Sequence, residues 1–180
     1  MPRQFFTDIE RERLNRFPSE ITYDDVITYF TLSALDMEKL PIFSADYNRL
    51  GFALQLCTLR YLGFSPRMLT TIPNNVIDHI ACQLKVNPDI LSAYGSCIQT
   101  KTNHFQEIQN YLGYSKANIE ELKELSEWIL QRALEHDKPT LLFHMACEKL
   151  HSDKIVRPGI TSIERMVMTA RRQAQEKIYA

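Results

Sequence analysis

The chain has 180 residues, 44% hydrophobic and 24% charged, which suits one globular domain or two small helical lobes and excludes a largely disordered polypeptide. Its formal net charge of −1 argues against a strongly basic nucleic-acid binder. No apolar run approaches membrane-spanning length, and the first residues lack the apolar stretch of a signal peptide, so a cytoplasmic protein with no membrane partner is expected.

The pattern is helical nearly throughout, with no strong alternating strand and no Asn-Gly or Asp-Gly hairpin. The Thr7–Glu10 segment has the form of a capping box and opens a short helix over 8–16, ended before Pro18. Helices follow over 23–30 and 33–40, the second stopped near Pro41. A long helix spans 45–62. Its apolar residues wrap most of its surface, and Gly63 follows as a stop. Pro66 and Pro73 bracket a loop, and a helix covers 74–85. Asn87-Pro88 caps a short helix to Tyr94, and another runs over 101–112 to Gly113. Asn118–Glu121 repeats the capping-box form and opens a helix over 116–135, a helix follows over 139–151, and Thr161–Glu164 repeats the form again before a helix over 162–178. The expected fold is all-α, with helix-turn-helix-like lobes around a central apolar helix. The expected lobes are 1–113 and 114–180, divided near Gly113.

Charge is unevenly distributed. Residues 49–118 carry 6 basic and 3 acidic side chains, and residues 149–180 carry 7 and 3, with an acidic stretch of 3 and 7 between them. Two phosphate-facing surfaces and ordinary solubilising blocks both account for this. The four cysteines form no C-x-x-C pair and read as reduced thiols, most of them small core residues.

Two segments have the chemistry of DNA contacts. On the 101–112 helix, Phe105, Ile108 and Leu112 make an apolar face that is expected to close a core with the 74–85 helix and Ile90–Tyr94. The other side presents Lys101, Asn103, Gln106 and Asn110, with His104 alongside. Amides read adenine edges and lysine neutralises phosphate, but any helical bundle also has a polar outer face. On the last helix, Ile163, Met166, Val167, Ala170, Ala174 and Ile178 form an apolar stripe, while Arg165, Thr169 and Arg172 lie on another face, with Arg171 and Lys177 near its border and Thr161 at the start of the helix. Lys154 and Arg157 precede it in a loop. An arginine row beside a basic loop grips a phosphate backbone, and a solvated terminal helix looks the same. Glu164 and Glu176 are spaced to pair with these arginines.

Catalytic and metal chemistry find little support. His144, Cys147 and His151 share a helix face suited to zinc, but no clear fourth ligand accompanies them. Asp24 and Asp25 diverge on a helix, and Glu120, Glu121, Glu124 and Glu127 form a solvated acidic face. There is no phosphate-cradling glycine loop, nucleophile elbow or H-E-x-x-H. Neither a metal site nor a cofactor is expected.

Several blocks, in order, resemble one family. They are Tyr29–Ser33 (YFTLS), Asn48–Phe64 (NRLGFALQLCTLRYLGF), Ala93–Gly95, Thr102–Gly113 (TNHFQEIQNYLG), Arg157–Arg165 (RPGITSIER) and Ala170–Arg171. Together they look like the N-terminal region of the replicative transposases (TnpA) of the Tn-three family of bacterial transposons. The resemblance implies helical domains that recognise the terminal inverted repeats of double-stranded transposon DNA. It also implies a much later ribonuclease-H-like domain whose acidic triad binds magnesium, no part of which is visible here. The chain then reads as a truncated piece or a remnant reading frame. Its partners would be DNA and the remainder of the transposase, with room for a homodimer in the full-length protein. The resemblance gives the 45–62 helix a scaffold role and leaves Arg60 as either a phosphate contact or a core ion pair. Arg67, in the loop before Pro73, joins the candidate DNA contacts. The family often continues with basic residues after the Tyr94-Gly95 motif, where this chain has Ser96–Gln99, which implies a weaker phosphate grip there.

Overall fold

The computed structural model describes residues 4–41, 44–66 and 68–179. It is predominantly helical, and its one sheet among the described residues is a two-residue parallel pairing. The helices are α1 (Asp8–Leu14), α2 (Tyr23–Phe30), α3 (Ala34–Lys39), α4 (Asp46–Leu62), α5 (Asn74–Leu84), α6 (Ile98–Leu112), α7 (Ile119–Glu135), α8 (Pro139–Ser152) and α9 (Ile160–Tyr179). Two 3-10 segments, Leu69–Thr71 and Pro88–Ala93, join them. The chain divides into two compact units, Arg16–Gly113 and a second that combines Met1–Asn15 with Tyr114–Ala180.

Local chemistry sets the element ends. Thr7, Ser33 and Asn118 each accept from the backbone N–H three residues on, and Glu10, Asp36 and Glu121 return the bond in complete capping boxes. Gly63 and Gly113 close α4 and α6 in the left-handed region, with φ of 73° and 75°.

In the Arg16–Gly113 unit, every residue of α4 from Leu50 to Leu59 is buried, and α2, α5, α6 and Pro88–Ala93 pack on it. The three-helix core expected from the 74–112 region therefore closes differently. Ile108 and Tyr94 turn onto α4, and α6 rests on that scaffold in place of α5. Phe17 and Phe30 pack with Tyr61 at the end of α4. Gln83 of α5 fastens the end of α2, accepting from the Leu32 N–H at 2.8 Å and donating to the Phe30 carbonyl at 2.9 Å.

In the other unit, α7 and α9 pack along their lengths, and α8 completes a core of Leu125, Ile129, Leu142, Phe143, Ala146, Leu150, Ile163, Val167 and Ala170. Phe6 enters this core edge-on to Phe143, and Phe5 packs against it. Ser115 and Lys116 pair in parallel with Ile155 and Val156, a strand contact too short to show as sequence alternation.

The cysteines are all free thiols, but they are not mostly core residues. Cys57 is buried and Cys147 half-buried, while Cys82 and Cys97 are exposed. Burial pushes the Cys57 thiol up to about 12 and Cys147 to about 11, so neither is a ready nucleophile. No helix among the described residues is long and apolar enough to cross a membrane.

Candidate nucleic-acid interface

The sequence-predicted residues separate into three groups. Some form exposed rows, some work inside the fold, and Arg67 lies outside the described residues.

The first exposed row is on α6. Asn103, Gln106 and Asn110 are exposed, and Gln99 and Glu107 join them on the same arc. At about 100° per residue, these five side chains fall within roughly 100° of the helix circumference. Gln99 Nε2 donates to Asn103 Oδ1 at 2.7 Å, which fixes the direction of the Asn103 amide. Lys101 does not belong to this arc. It lies about 160° away, and its chain packs over Gly95, whose Cβ, were it present, would meet Lys101 Cδ at 2.6 Å.

His104 turns inward. Its Nδ1 lies 2.9 Å from Tyr94 Oη, and Gln55 Nε2 donates to the same oxygen at 2.6 Å. Phe52 meets the imidazole edge-on. Burial lowers the His104 pKa, which favours the neutral ring that accepts from the tyrosine hydroxyl. The chain Gln55–Tyr94–His104 thus clamps α6 to α4. A second clamp sits one to two turns on. Tyr111 Oη donates to Asp36 Oδ1 at 2.9 Å, and Arg60 donates to the same oxygen at 2.7 Å. Arg60 is therefore held in an ion pair inside the fold, the second of its two sequence readings. Burial works against the charged Asp36, but hydrogen bonds from Arg60, the Ser33 N–H and Tyr111 outweigh it and hold the carboxyl below its usual range.

The second row is on α9. Arg165, Thr169 and Arg172 are exposed at i, i+4 and i+7, with Thr161 half-buried at its N-terminal end. The acids beside it have different fates. Glu164 does not pair with the neighbouring arginines. It is buried and accepts from the Phe6 N–H at 3.1 Å and from Arg11 Nε at 2.7 Å. Glu176 approaches Arg172 only at 3.9 Å, between two exposed side chains. Arg171 leaves the row and donates to Asp137 at 2.7 Å. Arg157 is half-buried and donates to Asn15 Oδ1 at 3.0 Å, and its burial lowers its pKa. Lys154 is exposed in the left-handed region, and its carbonyl accepts from the Ser115 N–H at 3.0 Å.

The sequence reading missed Gln99 and Glu107, although counting four residues either way from Asn103 reaches both. It also missed Asp36 and Gln55, whose partners lie far along the chain and leave no local signal. His144 is exposed against Phe143, and His151 packs on Tyr114. Among the described residues no group of three His, Cys, Asp or Glu side chains is placed to hold a metal ion.

Comparison with known proteins places the chain. Residues 5–170 match the family model described as Domain of unknown function (DUF4158). The chain is 34% identical over 179 residues to the transposase for transposon Tn1546 of Enterococcus faecium. It is 31% identical over 180 residues to the transposase for transposon Tn501 of Pseudomonas aeruginosa. It is 29% identical over 182 residues to the transposase for transposon gamma-delta of Escherichia coli (strain K12). These matches cover 98–99% of the chain but 18% of each relative, so the chain spans under a fifth of their length. It belongs to the DUF4158 family and is homologous to the N-terminal part of the Tn-three family transposases.

Proposed function

We propose that this chain binds double-stranded DNA at transposon ends, as the non-catalytic N-terminal part of a replicative transposase. The observation that carries the reading is the similarity of the whole chain to one end of several transposases. The exposed α9 row supports it. Arg165 and Arg172 stand about two turns apart with Thr169 between them, while the adjacent Glu164 is withdrawn into an internal ion pair. Two cations and a hydroxyl on one exposed helix face, with Glu176 against Arg172 at its C-terminal end, suit contacts to backbone phosphates.

The reading is tested by fluorescence anisotropy with a terminal inverted-repeat duplex against a scrambled duplex of the same composition. Preference for the inverted repeat is the expected result, and equal, very weak binding to both at physiological salt rejects it. Replacing Arg165 and Arg172 by alanine lowers affinity for both duplexes, and the slope of log K against log salt falls by about 1 for each phosphate that is no longer neutralised. An unchanged slope removes α9 from the interface.

A second reading is a helical interaction module that contacts the remainder of the transposase and has no DNA affinity of its own. The net charge of −1 favours it. Retention of the chain by the rest of the transposase, with no mobility shift of any duplex, is its signature. In neither reading does this chain carry out strand chemistry, so no cleavage of duplex DNA with magnesium is expected.

A further inference from the structure

The exposed arc of α6 differs chemically from the row on α9. Gln99, Asn103, Gln106 and Asn110 are all carboxamides, the remaining member is Glu107, and none is cationic. Such a face draws no affinity from phosphate neutralisation. Its capacity lies in paired donors and acceptors. We infer that α6 reads base edges in the major groove, with Asn103, Gln106 and Asn110 as specificity-determining residues for adenine, an assignment that rests on the DNA reading proposed above.

Three observations carry it. The first is the donor set. A carboxamide accepts from adenine N6 and donates to N7 as a bidentate pair, whereas guanine is read chiefly by arginine or lysine, which the arc lacks. Glu107 adds an acceptor suited to cytosine N4. The second is what the arc omits. A protein-binding helix presents aromatic or aliphatic anchors at the centre of its contact face, and no apolar side chain stands among these five residues. The third is preorganisation. The side of α6 next to the arc is fixed by two satisfied polar clamps, His104 to Tyr94 and Gln55, and Tyr111 to Asp36 and Arg60. Rotating α6 would strand buried polar groups in both, so the amides stay directed outward. Gln99 adds local order by donating to Asn103 Oδ1, whose second lone pair stays open to accept while Nδ2 donates.

The dimensions agree. Asn103 to Asn110 covers about 10 Å of helix axis at 1.5 Å per residue, which matches about three base pairs at 3.4 Å each.

The test selects duplexes from a randomised library with the unaltered chain and with the double variant Asn103→Ala, Gln106→Ala. Both substituted residues are exposed, and circular dichroism confirms retained helix content. The unaltered chain is expected to select a motif with adenines within a run of about three base pairs. The variant should show no preference at those positions, with affinity for the selected duplex falling about tenfold or more for each amide–adenine pairing removed and the salt slope unchanged, since no charge is removed. A variant that selects the same motif with the same stringency overturns this inference and leaves the DNA-end reading intact. Loss of guanine preference at the responding positions overturns the adenine assignment. If the unaltered chain selects no motif, both fall together.

Discussion

Glu164 shows how one residue decides whether α9 can present a basic face. A glutamate at this position next to Arg165 reads naturally as a partner for the surface arginines. In the folded chain it points the other way, into contact with Arg11 and the Phe6 N–H, and it is only 1% exposed. Burial alone raises a carboxyl pKa, but here the hydrogen bond from Arg11, the Phe6 N–H and the Arg11 charge outweigh it and hold Glu164 below its usual value. A carboxyl depressed on folding stabilises the fold above its unfolded pKa, and that contribution is lost as pH falls through the folded value. Glu164→Gln removes the charge and leaves Arg11 facing a neutral amide, with exposed Asp8 as its remaining acid, and is expected to lower stability at pH 7. Urea denaturation should show the gap between variant and unaltered chain narrowing as pH drops below the ordinary glutamate range. A gap that stays constant into that range would show that the ionised carboxylate is not its source.

At the scale of elements, α4 does for one unit what the Glu164 pair does for the N-terminal segment of the other. Its wrap-around apolar pattern announces burial, and Leu50–Leu59 are all buried. Gly51 lets Tyr94 lie flat on the helix. An added Cβ would fall 2.2 Å from the tyrosine ring, so Gly51→Ala must push Tyr94 away and disturb its bonds to Gln55 and His104. A loss of about 1–3 kcal/mol is expected in thermal or urea unfolding. Gly159→Ala, where no atom lies within 4 Å of the new Cβ, is expected to change stability by less than about 0.5 kcal/mol. Equal effects at the two glycines would contradict this packing. The contrast marks what a sequence can and cannot disclose. Helix positions are legible because capping boxes at Thr7 and Asn118 and left-handed stops at Gly63 and Gly113 are local chemistry; the capping box read at Thr161–Glu164 does not form, because α9 already starts at Ile160 and Glu164 is taken by Phe6 and Arg11. The amides of α6 are legible for the same reason, through the 3.6-residue period. Lys101 is misplaced onto their face because two residues of sequence separation mean nearly opposite sides of a helix. His104 and Arg60 look available because their partners stand 10 and 24 residues away, and a polar group with a distant partner looks free in a linear reading.

At the scale of the whole molecule, the chain is assembled out of sequence order. Met1–Asn15 joins Tyr114–Ala180 as one unit, and Arg16–Gly113 forms the other between them. No local pattern signals this, because Phe6 and Arg11 resemble any start of an amphipathic helix until Glu164 and Phe143 are in place. Each unit has its own buried centre, one around α4 and the other around α7, α8 and α9. Local stability follows the contacts within a cooperative unit, so a substitution should loosen the unit that holds it. Hydrogen exchange read by mass spectrometry separates the two. Glu164→Gln is expected to speed exchange in α1 and α9 and leave α4 protected, although α1 and α9 stand at opposite ends of the chain. Gly51→Ala is expected to speed exchange in α4 and α6 and leave α7 and α9 protected. Uniform loss of protection from either substitution would mean that the chain opens as one cooperative body, and the arginine row of α9 and the amide row of α6 would then be coupled through global stability. Separate responses would let the two rows be altered one at a time, the condition under which salt slope and base preference can be assigned to different helices.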